Sequence, residues 1–192
     1  MITGGNRGLG LTLCQVFNGD SYSRSNGYDI TKDQEKLAEL SLNYDVFINN
    51  AFDGPFHEPW ANFGQVYLLN KVANLWKSQN KSGTIINIGS IGSESIVSPL
   101  QEFETYRVAK IALKHHSRQW TRAFKENLVT FKTSLLTVDR LDTEVTRSRS
   151  NWTGNGHDLV ELTNYVGLIV NSKPNTCIEE IIAYVNLNHK QA

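Results

Sequence analysis

The sequence lacks several features that mark whole classes of protein. It has only two cysteines, Cys14 and Cys177, among 192 residues, and these are too few for a disulfide framework. No run of eighteen apolar residues occurs, so no membrane-spanning helix is predicted. The first residues have neither the charged start nor the apolar stretch of a signal peptide. These absences predict a cytoplasmic protein without a membrane partner.

The chain also lacks net charge, since 19 basic residues balance 19 acidic ones. This balance does not favour a nucleic-acid partner, which would select a basic surface. Hydrophobic residues make up 40% of the chain and aromatic residues 10%, which excludes disorder. No repeat, low-complexity tract or linker is present, so one domain over residues 1–192 is expected.

Segments of helical periodicity alternate along the chain with segments of strand character. Apolar residues at helical spacing predict helices over about 9–17, 61–79 and 104–127. Buried-type runs predict strands over 45–51, 83–88 and 129–138, with a weaker strand over 20–24. Strands that alternate with helices indicate a mostly parallel sheet covered on both faces, so the fold class is α/β.

Two capping boxes predict further helices. Thr31 with Gln34 predicts a helix directly after them, and Thr176 with Glu179 predicts a second one near the C-terminus. The apolar residues of 178–185 have helical spacing, which agrees with the second prediction.

A glycine-rich segment over residues 3–10 precedes the first predicted helix. Three glycines at this spacing allow a tight turn and a close approach of backbone to phosphate, beside the N–H groups of a helix N-terminus. Only Met1 and Ile2 precede the segment, so the first strand is expected to be short. A glycine turn without a ligand is the alternative to a nucleotide site.

Several motifs, taken in order, resemble those of the short-chain dehydrogenase/reductases in their single-domain form. They are the glycine loop Thr3 to Gly10, Asn49-Asn50-Ala51 after a buried strand, Ser90 at the end of the next strand, Tyr106 with Lys110 as Tyr-x-x-x-Lys, and Leu141-Asp142-Thr143. The resemblance runs from Thr3 to about Arg147. It implies a three-layer, Rossmann-like, doubly wound parallel sheet.

The resemblance also implies a catalytic group. Tyr106 would be the acid/base, and the ammonium of Lys110, one helical turn away, would lower the tyrosine pKa from its ordinary value near 10. Ser90 would bind the substrate oxygen, although Ser93 is a rival by spacing alone. Asn70 resembles the residue that anchors a water molecule in a proton relay.

The cofactor implied by the resemblance is NADP(H) in preference to NAD(H). Arg24, at the end of the second strand, and Arg7, in the glycine loop, could together receive a 2′-phosphate. Asp29 and Ile30 resemble the residues that flank the adenine. The predicted cofactor contacts are Gly4, Gly5, Asn6, Arg7, Gly8, Leu9, Gly10, Ser23, Arg24, Asp29, Ile30, Asn49, Asn50, Ala51, Leu141 and Thr143. No metal site is predicted.

The sequence departs from the family pattern at four places. Phe52 replaces a glycine and is expected to crowd the cofactor side of its strand, and Val138-Asp139 replaces Pro-Gly and brings a carboxylate near the nicotinamide. Residues 25–27 are too few for a parallel crossover, so the second crossover helix and the third parallel strand are predicted to be missing. The helical spacing over 178–185 predicts that the last strand is missing as well.

The sequence therefore predicts an NADP(H)-dependent oxidoreductase that acts on a small alcohol or carbonyl compound. Residues 148–175, with Trp152, are expected to form a substrate lid, and the two long helices to pair copies into a homodimer or homotetramer. A non-catalytic nucleotide-binding or regulatory protein of the same fold is one alternative. A relative of the nucleotide-sugar epimerases or dehydratases is another, but that class normally carries a larger substrate domain.

Overall fold

A parallel sheet forms the centre of the molecule. The computed structural model describes residues 1–52, 59–94, 104–148 and 154–185, and in these ranges the sheet has six strands. They are β1 (Ile2–Thr3), β2 (Ser21–Tyr22), β3 (Val46–Asn49), β4 (Gly83–Ile88), β5 (Phe131–Val138) and β6 (Glu180–Ala183). Their spatial order is β2-β1-β3-β4-β5-β6.

Helices cover both faces of the sheet. The helices are α1 (Gly8–Phe17), α2 (Gln34–Ser41), α3 (Gly64–Ser78), α4 (Glu104–Lys125), α5 (Glu144–Arg147) and α6 (Leu159–Val170). The buried side chains of α1 and α6 join one hydrophobic cluster, and those of α2, α3 and α4 join another. None of the helices within the described ranges has the length and apolar character that a membrane crossing requires.

Successive strand residues alternate between these two clusters, as a pleated strand requires. Phe47 and Ile85 pack with α2, α3 and α4, whereas their neighbours Ile48 and Ile86 pack with α1 and α6. The predicted three-layer, Rossmann-like α/β fold is therefore confirmed.

The order of the strands reverses between β1 and β3. The chain places β2 on one side of β1, and then builds β3 to β6 outward on the other side. In an open parallel sheet, ligands bind at the carboxyl ends of the strands that flank such a reversal.

The predicted loss of the second crossover is confirmed. After β2, the chain makes a 3₁₀ turn over Arg24–Asn26 and a left-handed Gly27, and then enters the turn before α2. The sheet described above has no parallel strand beyond β2 at this edge. The first strand is short, as expected, with two residues.

The prediction that the last strand is missing is wrong. Residues 180–183 form β6, which pairs in parallel with β5 from Leu135 opposite Glu180 to Val138 opposite Ala183. The side chain of Glu180 lies 3.0 Å from the ammonium of Lys114 on α4 and also accepts a hydrogen bond from Thr137. These long-range contacts and the free edge of β5 outweigh the helical spacing of the segment.

The helix after Thr31 is present, but the predicted capping box is not. The Thr31 hydroxyl donates to Oδ1 of Asp29 at 2.7 Å, and Asp33 occupies the N-cap position of α2. The Asp29 side chain thus closes a turn of its own before the helix begins.

The predicted substrate lid overlaps a scaffold helix. Three side chains of α6, those of Leu162, Val166 and Ile169, are fully or almost fully buried beneath the sheet. Trp152, which the prediction assigned to the lid, lies outside the described residues.

Replacement of Leu162 by Ala should lower the free energy of unfolding by about 2–5 kcal/mol, because it leaves a cavity in a fully buried position. Urea denaturation measures this loss. Leu168→Ala is the matched control: that side chain is 59% exposed on the same helix, and its loss should be below about 1 kcal/mol. Equal losses would contradict the packing of α6 against the sheet.

Candidate active site

The glycine segment forms a tight loop between β1 and α1. Gly4 and Gly8 have positive φ angles of 71° and 52°, which side chains rarely adopt. A Cβ on Gly10 would collide with the carbonyl oxygen of Gly4. No side chain caps the first turn of α1. The loop therefore brings bare backbone and helix N–H groups to one surface, an arrangement suited to a phosphate.

Side-chain hydrogen bonds tie the ends of β1 and β3 together at the strand-order reversal. Oγ1 of Thr3 accepts from the backbone N–H groups of Asn50 and Ala51, both at 3.0 Å. In return, the amide of Asn50 donates to the carbonyl oxygen of Thr3 at 2.9 Å. These bonds hold the glycine loop beside the residues that follow β3.

A cavity of about 750 Å³ opens at this point. All the predicted cofactor residues line it except Gly5 and Asn49. Among the described residues, the wall also contains several that sequence reasoning did not assign to the cofactor: Ser25, Tyr28, Phe52, Asp142, Glu144, Thr146, Arg147 and Leu159. Only the folded chain brings these distant segments to one wall.

Gly5 and Asn49 contact neighbouring parts of the protein and do not line the cavity. A Cβ on Gly5 would stand 2.5 Å from Sγ of Cys14, so this glycine lets α1 pack closely. Asn49 is fully buried, and its amide donates to the backbone oxygen of Gln65 and to Oδ1 of Asn87, both at 2.9 Å. The assignment of these two residues to the cofactor surface is not supported.

One end of the cavity is lined by the residues after β2. Oδ1 of Asn26 accepts from the Ser23 backbone at 2.6 Å, which holds the turn that carries Arg24. Burial acts to raise the pKa of Asp29, but hydrogen bonds from Thr31 and the charge of Arg24 outweigh it and lower that pKa. This end of the cavity therefore presents a carboxylate and a guanidinium side by side.

Lys110 lies buried behind the ends of β3 and β4, with 5% of its surface exposed. Its ammonium donates to Oε1 of Gln65 at 2.6 Å and to the carbonyl oxygen of Ile88 at 2.9 Å. Burial lowers the pKa of Lys110 to about 7. The lysine is thus held in place by two hydrogen bonds, and its pKa lies near neutral pH.

Tyr106 and Ser90 lie beside this lysine. The ammonium of Lys110 is 5.7 Å from the centre of the Tyr106 ring. The Ser90 hydroxyl and the Tyr106 ring both border Gly92, at 3.4 Å and 3.5 Å from the place where a Cβ would stand. The structure therefore brings the three predicted catalytic side chains together.

The rival serine is directed elsewhere. Ser93 is buried, and its hydroxyl donates to the backbone oxygen of Ser90 at 2.7 Å. The Ser90 hydroxyl accepts from the N–H group of Gly92 at 3.2 Å and keeps its own proton available for donation. The hydroxyl of Ser90, unlike that of Ser93, therefore has no acceptor among the described residues.

The assignment of Asn70 to the site is wrong. Asn70 lies on the exposed side of α3, where its side-chain oxygen accepts from Asn74 at 3.0 Å. The residue that sequence reasoning missed is Gln65, which accepts a hydrogen bond from Lys110. A signal for Gln65 existed, because it precedes the buried apolar residues of α3 on their own helical face.

Phe52 lines the cavity and contacts both Tyr106 and Lys110. Its ring lines the cavity and packs edge-to-face on the Tyr106 ring, with centroids 4.9 Å apart. The ammonium of Lys110 lies 5.2 Å from the centre of the Phe52 ring. The expected crowding by Phe52 thus falls on the catalytic pair as well as on the cofactor side.

The segment after β5 closes the other side of the cavity. Thr143 caps the short α5, and Arg147 donates two hydrogen bonds to Asp142 at 2.6 Å and 2.8 Å. The carboxylate of Asp139 accepts a hydrogen bond from the backbone N–H of Val185 at 3.5 Å. The expectation that the Asp139 carboxylate faces the nicotinamide is not supported by this contact.

Comparisons with known proteins find the same fold in solved structures. No family model matches the sequence, and no curated protein matches it. A short-chain dehydrogenase from Burkholderia cenocepacia in complex with NADP superposes with a TM-score of 0.70 at 20% identity, over 94% of this chain and 85% of that one. An alcohol dehydrogenase from the archaeon Thermococcus sibiricus, complexed with 5-hydroxy-NADP, superposes with a TM-score of 0.71 at 15% identity, over 100% of this chain and 98% of that one.

A reductase from Brucella melitensis that acts on 3-ketoacyl-(acyl-carrier-protein), complexed with NADH, gives a TM-score of 0.68 at 14% identity, over 94% of this chain and 95% of that one. At these identities the likeness concerns the fold. The chain therefore has the fold of the short-chain dehydrogenase/reductase structures, as its motifs predict.

The buried Lys110 should make the free energy of unfolding rise with pH between about 7 and 10.5. In this window the unfolded chain keeps a proton on the lysine that the folded chain has released, so a rise in pH favours the folded state. One proton gives a slope of at most about 1.4 kcal/mol per pH unit.

Urea denaturation of the wild type and of Lys110→Met over this range measures the contribution. The variant should lose the rise, whereas Lys71→Met, at an exposed ion-paired lysine of α3, should keep it. An identical pH dependence in the wild type and Lys110→Met would show that Lys110 keeps its proton on folding.

Proposed function

We propose that the chain is an NADP(H)-dependent oxidoreductase that transfers a hydride between the nicotinamide and a small alcohol or carbonyl substrate. The observation that carries the proposal is the meeting of Tyr106, Lys110 and Ser90 beside a cavity with a glycine-loop wall. Structures of the same fold that hold NADP support it.

The residues of the cavity fit such a cofactor. The carbonyl oxygen of Gly4 leaves no room for a side chain on Gly10, and the uncapped first turn of α1 suits the pyrophosphate. Asp29 and Ile30 would contact the adenosine half. Leu141 and Thr143, on the opposite wall, would contact the nicotinamide half.

The catalytic side chains then have separate roles. In carbonyl reduction, the Tyr106 hydroxyl donates its proton to the substrate oxygen while the Ser90 hydroxyl donates a hydrogen bond to it. The bound nicotinamide supplies the hydride. The ammonium of Lys110 stabilises the phenolate that remains on Tyr106, and the Gln65 side chain holds that ammonium in place. Alcohol oxidation runs the same proton transfer in reverse.

Asn62 takes the part in proton relay that the sequence prediction gave to Asn70. Its side-chain oxygen is buried and has no hydrogen-bond partner among the described groups. It lies one turn before Gln65, whose side chain contacts Lys110. A buried carbonyl oxygen in this position can accept a hydrogen bond from a water molecule that re-protonates the site.

Two further parts of the proposal rest on position. The lid predicted over residues 148–175 stays part of the proposal outside α6, and residues 149–153 of it lie outside the described residues. A homodimer or homotetramer would form through α3 and α4, where Tyr67 and Val108 are about half exposed.

A non-catalytic nucleotide-binding protein is the second candidate. The observation that favours it is the Phe52 ring, which lies over the ammonium that a reacting cofactor needs. Measurements of turnover separate the two candidates.

Replacement of Arg24 by Ala should reduce the preference for NADPH over NADH about tenfold or more, because a charge-assisted hydrogen bond to the 2′-phosphate is lost. Fluorescence titration with both cofactors measures it. Arg122→Ala, at an exposed arginine paired with Glu126, should leave the preference unchanged. Equal wild-type affinities for NADPH and NADH would refute the NADP(H) preference.

Replacement of Tyr106 by Phe should reduce any carbonyl reductase activity at least about a hundredfold, because the proton donor is removed. The loss of NADPH absorbance over a panel of small aldehydes and ketones measures it. Tyr67→Phe is a matched control, since Tyr67 also lies four residues before a lysine but on an exposed face. Activity that survives Tyr106→Phe would show that another group transfers the proton.

A further inference from the structure

We propose that Phe52 covers the Lys110 side of the cavity, so that the protein binds the adenosine half of a dinucleotide directly and brings the nicotinamide ribose to Lys110 only after the Phe52 ring turns away. This inference rests on the proposed function, and it makes Phe52 a residue that sets selectivity between mononucleotides and dinucleotides.

The first argument is the extent of the cavity. Its wall runs along the glycine loop, the turn that carries Arg24 and the segment after β5, and it reaches Phe52 after β3. Tyr106 and Lys110 are not among the described residues that line it. Of these three side chains, only Phe52 is therefore among the described residues of the cavity wall, and it contacts both members of the catalytic pair.

The second argument is the set of neighbours around the ammonium of Lys110. An ammonium has three N–H groups. Two of them are directed to oxygens of Gln65 and Ile88. The remaining side of the ammonium faces two aromatic rings, with Phe52 nearer at 5.2 Å and Tyr106 at 5.7 Å. A ribose hydroxyl that is to accept from Lys110 must therefore take the place of the Phe52 ring.

The third argument is that the ring can be displaced. Within the described part of the chain, the hydrogen bonds that anchor this stretch end at Asn50 and Ala51, which bind Thr3. Phe52 itself is held by an edge-to-face contact with Tyr106 and by the ammonium of Lys110. Both kinds of contact are individually weak. A ligand with enough contacts elsewhere in the cavity can break them, at a cost in its own affinity.

The cost falls only on ligands that reach past Phe52. NADPH must displace the ring, whereas adenosine 2′,5′-bisphosphate carries the adenine, one ribose and the 2′-phosphate but has no nicotinamide half. Removal of the ring should therefore strengthen the binding of NADPH and leave the bisphosphate unaffected. The ratio of the two dissociation constants isolates the contribution of Phe52.

Calorimetric titration of the full chain with both probes tests the proposal. In Phe52→Ala the Kd for NADPH should fall about tenfold, the equivalent of about 1.4 kcal/mol, and the Kd for the bisphosphate should stay within about twofold. Phe52→Leu keeps part of the bulk of the side chain, so its Kd for NADPH should lie between those of the wild type and Phe52→Ala. Phe17→Ala, at a partly exposed position on α1, should change neither constant. Unchanged binding of the bisphosphate also shows that the variants are folded.

Each other outcome overturns a defined statement. An unchanged or weaker affinity of Phe52→Ala for NADPH, or an equal change for both probes, overturns the role of Phe52 and leaves the proposed function standing. If neither the wild type nor Phe52→Ala binds NADPH or NADH, both are overturned. Binding of NADPH by Phe52→Ala alone supports the proposal in its strongest form.

Discussion

The site depends on the hydrogen bonds between Thr3 and Asn50. The first strand has only two residues, so its own ladder holds the glycine loop weakly. Oγ1 of Thr3 binds two backbone N–H groups after β3, and the Asn50 amide binds the Thr3 carbonyl oxygen. These bonds are partly buried, and a hydrogen bond is electrostatically stronger away from water. They fix the glycine loop relative to the strand that carries Phe52, and so define the cavity between them.

The chemistry of the site follows from how Lys110 is buried. A lysine removed from water tends to lose its proton unless oxygens surround it. Here Gln65 and Ile88 supply two oxygens, and aromatic rings of Phe52 and Tyr106 cover the rest. The same ring that shelters the ammonium also separates it from the cavity. At the position where the motif that it resembles has a glycine, this chain therefore has an aromatic ring that both lines the cavity and lies near the Lys110 ammonium.

Much of this could be predicted from local pattern, and the failures share a cause. The strand 83–88 is β-branched and continuous, and the structure forms β4 over the same residues. The glycine spacing likewise predicts the loop, because φ above zero and close backbone approach depend on residue type alone. The prediction for Asn70 failed because residue type alone does not show which face of a helix an asparagine occupies. The prediction that the last strand is missing failed because a segment of four residues with two isoleucines suits a helix or a strand equally.

The sequence by itself determined the class of fold, the position of the glycine loop and the loss of the second crossover, and it predicted Tyr106, Lys110 and Ser90 as one group of side chains. Each of these depends on residue type, spacing or chain length over a short span. Only the tertiary structure decided that residues 180–183 form a strand, since the free edge of β5 and the Lys114 ammonium select it. It also decided that Gln65 holds Lys110 and that Phe52 covers it, because these contacts join segments 45 and 58 residues apart, a separation that no local periodicity encodes.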